Sequence, residues 1–585
     1  MYVAHVTRST AFAVLAGFGA TVGLAPPALA VVARARTPTQ ITDVQLSSLP
    51  QELSGEVREQ LAFVGCGGPG RLLVRLNGGL ELIRWQARRC RRRTMVWAMP
   101  PSAALAYRVS VQIKISKRPW SRVASVTVGA PAAGSDEVGV WVTTADLSEA
   151  LSPMPVVSFG AVNPALPTID VSDGTRYQQV DGFGAAMTDS SAWLIYDELS
   201  AIPRAAVMAA LFGPGGINLN YVRVPIGASD FTATGVPYTY DDVVAGKSDP
   251  LLGHFSVVHD SAYVLPALRT MLALNPGTEI LASPWSAPAW MKANDALDNS
   301  GYAGALLPEN FKAYAEYLVR FIRAYADAGV PITAITPENE AGTPSLYPGM
   351  ALDEDGFITQ TLVPALRAAG FDTAVYGLDG SGLAYGEGML SDPAVRSEIA
   401  GIAWHCYAGL EQMSQLQTMD PAASIVMSEC SPGVVAYPTA EIAIASLRND
   451  AQAVDLWNLA LDPSGGPKQT APGCDACSGL VTVNEQSGTV SLNLNYYQLG
   501  QASAFVQRGA VRIASDRWVS DFADADGSYG VTPGLDDVAL ENPDGSKVLI
   551  AYDNSSQPIE FQVGWRDQAF SYTLDPGATA TFVWQ

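Results

Sequence analysis

At 585 residues, 48% of them hydrophobic, the chain is too long for one ordinary domain and ample for a large core. Its formal net charge of −22 excludes nucleic acid and disfavours anionic membranes as partners, because both bind through Lys and Arg. A neutral substrate fits better, and only four histidines (His5, His254, His259 and His405) leave little for a metalloenzyme.

The first element is a targeting segment. His5 and Arg8 precede an apolar run from Ala11 to Leu24, and Ala28-Leu29-Ala30 offers small residues at the cleavage spacing. The run is short for a bilayer span. The order of charge, apolar run and small residues predicts a signal peptide over 1–30 and a secreted protein with no integral membrane segment once mature. The next stretch, 31–135, is strongly basic. Between Arg58 and Arg122 it holds fourteen of the chain's 35 Arg and Lys but two of its 57 acids, and Arg88-Arg89-Cys90-Arg91-Arg92-Arg93 is the extreme. A polyanion patch is one reading. The weak periodicity favours the other, an insert of uncertain structure.

From about Val138 the character changes. Strand-like residues over 136–180 are expected to contribute to a β-sandwich. Eight apolar runs then follow, starting at Val180, Tyr221, Glu279, Ile332, Thr373, Gly401, Ser424 and Val454, with helical stretches between them. The stretch from Glu309 to Ala326 carries Phe311, Tyr314, Ala315, Leu318 and Phe321 near 3.6 spacing. Eight β–α alternations predict an α/β fold, a (β/α)8 TIM barrel over 181–480. After Val481 short strands and turns predict an all-β sandwich over 481–585.

In such a barrel the polar residues that close each strand carry the chemistry. The fourth run closes on Glu338-Asn339-Glu340 and the seventh on Ser428-Glu429. Three β–α units of roughly 31 residues each separate the two glutamates, for a barrel of about 250 residues. Two carboxylates in one mouth suit glycoside cleavage, which needs no metal and no cofactor. Glu338 reads as a structural carboxylate. His405 reads equally well as a core histidine. Gly182-Phe183-Gly184 lacks the third glycine of a dinucleotide loop, since Met187 stands there. Cys474 and Cys477 form a C-x-x-C without a second pair, so a local disulfide or two free thiols fits better than zinc. Cys430 follows Glu429, and His405 is a poor base partner for a thiol nucleophile.

Six motifs, in order, resemble glycoside hydrolase family 30, the glucosylceramidase family: Asp181-Gly182-Phe183-Gly184-Ala185-Ala186-Met187-Thr188-Asp189, Arg223-Val224-Pro225-Ile226-Gly227, Ala282-Ser283-Pro284-Trp285-Ser286-Ala287-Pro288-Ala289-Trp290-Met291-Lys292, Thr336-Pro337-Glu338-Asn339-Glu340, His405-Cys406-Tyr407 and Ser428-Glu429-Cys430. The resemblance implies Glu340 as acid/base, Glu429 as nucleophile, and Asn339 on the sugar 2-hydroxyl. It also implies that Arg223 holds the nucleophile ionised with Tyr407 beside it, and that Asp189, Trp285 and Trp457 bind the sugar. Ala341-Gly342 departs from the proline that follows the glutamate in many relatives, which bears on the loop and so on substrate choice. The expected function is a retaining β-glycosidase of glucosylceramidase type, acting on a β-glucoside, glycolipid or β-glucan. The alternatives are an endo-acting β-1,6-glucanase or a non-catalytic carbohydrate-binding protein.

Overall fold

The computed structural model describes residues 136–469, 474–516 and 534–585. The expected signal segment at 1–30 and the basic segment at 31–135 lie outside the described residues. Among the described residues, no helix is long and apolar enough to cross a membrane.

Eight parallel strands form the barrel: β1 (Gly182–Ala185), β2 (Tyr221–Ile226), β3 (Glu279–Pro284), β4 (Ala334–Ile335), β5 (Ala374–Gly380), β6 (Gly401–His405), β7 (Ser424–Glu429) and β8 (Ala453–Leu456). Each pairs with its sequence neighbour from β2 to β8, and β8 pairs with β1. Closure falls between β1 and β2, where Asn220 N–H donates to Phe183 O (3.0 Å) and Met187 N–H to Arg223 O (2.9 Å). The two backbones come so close that a Cβ on Gly184 would sit 1.4 Å from Tyr221 O. Only glycine fits there.

The interior is layered by the two-residue period of a strand. Tyr221, Leu281, Ala334, Tyr376, Ala403, Val426 and Ala453, one from each of β2–β8, form an apolar cluster across the axis. Two residues on, the chain offers Arg223, Ser283, Thr336, His405, Ser428 and Asp455. The alternation fails on β5. Leu378 (φ 73°) and Asp379 (φ 40°) take left-handed backbone, and Asp379 rather than Leu378 faces the polar layer. The sequence run for this strand stops at Gly377, so β5 extends three residues beyond expectation, whereas β4 is only two residues long.

The amphipathic stretch ahead of β4 forms the helix Phe311–Asp327. It buries Tyr314, Leu318, Phe321 and Tyr325 on one stripe; each such side chain is worth about 1.5–3 kcal/mol removed from water. The stretch from Val481 expected in the sandwich is instead a hairpin followed by the helix Leu494–Ser503, whose Tyr496, Tyr497 and Leu499 are buried against the barrel. After the barrel the chain returns to the sandwich only at Val511–Ala514. There Thr168–Gln179 pairs with that strand and with Ile559–Trp565, while Glu137–Thr143 pairs with Thr579–Trp584. Glu137–Thr143 is buried on both faces. Val138, Val140 and Val142 join the sandwich core, and Trp141 packs on Phe505 with ring centroids 4.5 Å apart. A hydrogen bond from Gln501 to Thr143 (2.8 Å) ties the last barrel helix to this strand.

Candidate active site

The polar layer is organised on one group, Asp379. Its Oδ2 accepts from Arg223 Nη2 (2.7 Å) and Thr336 Oγ1 (2.8 Å), and also from Ser283 Oγ. Its Oδ1 accepts from Ser428 Oγ (2.8 Å) and His405 Nε2 (3.1 Å). Burial pushes the carboxyl up, but Arg223 and His405 more than offset this and hold it well below the usual range.

Arg223 is fully buried and distributes its charge upward. Nη1 donates to Glu429 Oε2 (2.5 Å) and Nη2 to Asn339 Oδ1 (2.7 Å). Because a guanidinium only donates, the Asn339 oxygen must face it, which leaves the amide N–H2 toward the cavity above. Glu429 closes β7 and also accepts from the Tyr407 hydroxyl (3.0 Å). Glu340 lies just past β4, with φ +50° and its N–H on Asp379 O at 2.8 Å. His405 closes β6 and is no core histidine. Its Nδ1 lies 3.0 Å from Glu340 Oε1 and 3.9 Å from Glu429 Oε1. Both ring nitrogens face carboxylate oxygens. Burial works against the charged ring, but Glu429, Asp379 and Glu340 outweigh it and push His405 up to about 10. His405 is therefore an imidazolium at neutral pH, with no lone pair for a metal.

One oxygen each of Glu340 and Glu429 lies within 4.8 Å of the other, across His405 Nδ1. Both groups open into a cavity of about 560 Å³. Trp285 and Trp457 stack with centroids 5.0 Å apart to make an aromatic wall, and the Arg223 guanidinium lies 4.7 Å from the Trp285 ring. Asn339 and Tyr407 also line the cavity.

Asp189, expected to bind sugar, does not line this cavity. It starts the helix Asp189–Trp193, and its oxygens accept from Ala233 N–H (2.8 Å) and Tyr238 Oη (3.3 Å) and meet His259 Nε2 at 2.8 Å. These contacts tie it to the loop after β2. That loop carries the acid that does line the cavity, Asp230. Burial, then the charge of Glu429, pushes Asp230 up to about 7, with Cys474 N–H 3.4 Å from its Oδ2. Sequence reasoning missed both Asp230 and Asp379. The motif at Arg223 runs straight on through Ala228-Ser229 to Asp230, and that continuity is the signal that could have found it.

Glu338 faces away from the cavity. It accepts from Met350 N–H (2.6 Å), and burial, partly countered by Lys292, pushes its carboxyl well up. Two disulfides frame the site. Cys406–Cys430 joins the residues that follow His405 and Glu429, so Cys430 is no thiol nucleophile. Cys474–Cys477 closes a turn on the cavity wall and leaves no thiolate for zinc.

The family models agree with this architecture. Residues 180–506 match the glycosyl hydrolase family 30 TIM-barrel domain, and residues 509–582 match the family's beta sandwich domain. The chain is 34% identical to an endo-1,6-beta-D-glucanase of Neurospora crassa over 405 residues, 66% of this chain and 80% of the relative. It is 28% identical to the lysosomal acid glucosylceramidase of Mus musculus over 442 residues, 70% of this chain and 82% of the relative. Among solved structures it is similar to the endo-beta1,6-glucanase BT3312, with TM-score 0.67 and 27% identity over 77% of this chain and 99% of that one. The chain belongs to glycoside hydrolase family 30 and is an O-glycosyl hydrolase.

Proposed function

We propose that the protein is an exported, retaining endo-β-1,6-glucanase, with Glu429 as nucleophile and Glu340 as acid/base. The observation that carries the mechanism is the approach of the two carboxylates within 4.8 Å. Retaining enzymes hold them at about 5–5.5 Å, whereas an inverting enzyme needs ~6.5–9.5 Å to admit a water. Arg223 holds Oε2 of Glu429 and Tyr407 holds Oε1, which aims the carboxylate so that one of its oxygens attacks the anomeric carbon. Glu340 gives its proton to the departing glycosidic oxygen. Once Glu429 is an ester, Glu340, having given up its proton to the leaving oxygen, is the base that activates water. Asn339 N–H2 donates to the sugar 2-hydroxyl, the Trp285–Trp457 wall packs on the ring, and Asp230 bonds a further hydroxyl.

The β-1,6-glucan substrate is favoured over glucosylceramide by the greater likeness to an endo-1,6-glucanase than to a glucosylceramidase, 34% against 28%. The net charge of −22 works the same way, since it opposes approach to an anionic bilayer but not to a neutral polymer. Export rests on the leader-like residues 1–30 and on the two disulfides, which persist in oxidising compartments.

The test is purified protein on β-1,6-glucan and on glucosylceramide, with proton NMR of the first product. Internal cleavage of the glucan with the β-anomer first is expected, and Glu429→Gln abolishes it with an unchanged melting temperature. An α-anomer first overturns the nucleophile assignment. Turnover of the lipid but not of the glucan overturns the substrate.

A further inference from the structure

The long loop after β2 carries a second cluster of ionisable groups, apart from the catalytic one. One carboxylate oxygen each of Asp241 and Asp249 and one ring nitrogen of His254 lie within 4.8 Å of one another. Asp241 is fully buried, whereas the His254 side chain is 69% exposed, so the cluster opens to solvent on its His254 side.

The buried member is half satisfied. Asp241 Oδ2 accepts from Trp290 Nε1 (3.0 Å) on the loop after β3, which fixes the carboxylate. Its Oδ1 is buried and has no hydrogen-bond partner among the described residues. Burial pushes this carboxyl up, the Trp290 bond offsets that only in part, and the charge of Asp249 adds to the push. A buried carboxylate oxygen with no donor calls for a proton or a cation. Asp249 Oδ2 accepts from His254 N–H (2.8 Å) and lies 2.6 Å from His254 Nδ1. Arg320 donates to Leu252 O (2.6 Å), Leu251 O (3.1 Å) and Glu316 Oε1 (2.9 Å) rather than to either carboxylate.

We propose that Asp241, Asp249 and His254 form a structural zinc site that ties this loop, through Trp290, to the loop after β3. The donor set selects the ion. Two carboxylates neutralise a divalent charge, and an imidazole suits zinc rather than calcium or magnesium, which take oxygen ligands. Atoms bound at the usual distances around a tetrahedral zinc stand about 3.3 Å apart. The widest pair here therefore closes by about 1.5 Å at most, a movement open to the exposed His254. Water takes the fourth position. Both carboxylates already have the supporting donors that metal ligands use, Trp290 Nε1 for Asp241 and His254 N–H for Asp249. The same loop carries Asp230 on the wall of the catalytic cavity, so the ion braces that wall from outside the reacting groups. The site does not depend on which sugar the enzyme cleaves.

The test uses the full chain without an affinity tag, stripped with EDTA and dialysed, then titrated with zinc chloride in a calorimeter and in thermal melts. Zinc is expected to bind saturably and to raise the melting temperature. His254→Ala should weaken binding by about tenfold or more. Its own melting temperature without zinc should stay within about 2 °C of wild type, since the side chain is exposed, and its kcat should be unchanged. Asp249→Asn should weaken zinc in the same direction. Diffraction at the zinc edge from zinc-loaded crystals should place the ion between the three side chains. No zinc-dependent rise, a rise that survives in both variants, a larger rise with calcium than with zinc, or an ion found only elsewhere would overturn the site.

Discussion

Two layers of the barrel, two residues apart along the same strands, do opposite work. The lower layer, Tyr221 to Ala453, is apolar and holds the strands together. The upper layer centres on Asp379, with Arg223 and His405 as its charged partners, and is wholly buried as well. Buried ion pairs stabilise little on balance, because desolvation consumes most of their attraction. The barrel core could have stayed apolar one layer higher at no loss of stability. What the upper layer gains is orientation: it fixes which atoms of Arg223 reach Glu429 and which reach Asn339.

Substitutions can break this contrast, and the largest effect after loss of the nucleophile falls on Glu340. Glu340→Ala should slow substrates with poor leaving groups by about 10²–10⁴-fold, the usual worth of a general acid. An activated aryl glucoside needs no proton and should retain its first step, and azide should then restore turnover. Equal loss on both substrates without azide rescue would remove Glu340 from the acid/base role.

Asp379→Asn comes next. An amide keeps the shape but offers one acceptor atom where five donors now converge on two. A fall of about 10–100-fold in kcat is expected, as for other groups that orient a reacting side chain. The variant should also be less stable by about 3–5 kcal/mol, since Arg223 loses a buried counter-charge. Full activity in the variant would show that the upper layer does not set the geometry above it.

The same layer dictates a pH window. His405 is raised from an ordinary 6.5 to about 10. Its contribution to stability is full below about 6.5 and is lost as pH rises through about 10. Asp379 is lowered, so its contribution is present above the ordinary carboxylate range and disappears as acid titrates it. Melting temperature against pH should therefore fall on the alkaline side toward 10, and His405→Gln should flatten that limb. An alkaline limb unchanged in the variant would sink the assignment to His405.

Much of this arrangement was legible before any coordinates. All eight strands begin within two residues of the start of the apolar runs that mark them, the fourth being the shortest. Glu340 and Glu429 were found because each closes such a run, as does His405, which read equally as a core histidine, while Arg223 was named through the family resemblance. Asp379 was not, because period two predicts that Leu378 points inward, and only two successive left-handed residues reverse it. Sequence carries no local mark of that reversal. Asp230 lies beyond the left-handed Gly227, in a loop whose path no periodicity fixes. Asp189 was named through the family resemblance alone; a helix begins at it, and its carboxylate accepts from the loop after β2. The Cys406–Cys430 pairing became visible only once β6 and β7 were neighbours.

The smallest effect on catalysis belongs to the lower layer and is the sharpest test of the division. Val426 is fully buried among the apolar cluster and precedes Ser428 by two residues on β7. Val426→Ala deletes two methylenes' worth of packing at the barrel axis, where neighbours held by the ladder cannot collapse inward. A stability loss of about 2 kcal/mol follows from the lost transfer and the cavity together. Ser428 and Glu429 sit on the same strand, but Ser428 is held by donating to Asp379 and Glu429 by accepting from Arg223 and Tyr407, and Val426 touches none of these through a polar contact. The expected outcome is a lower melting temperature with kcat within about twofold of wild type, since a shift too small to move the carboxylates leaves the effective molarity intact. If kcat falls in step with stability, the two layers are one mechanical unit, and the upper layer's geometry depends on the packing beneath it as much as on Asp379.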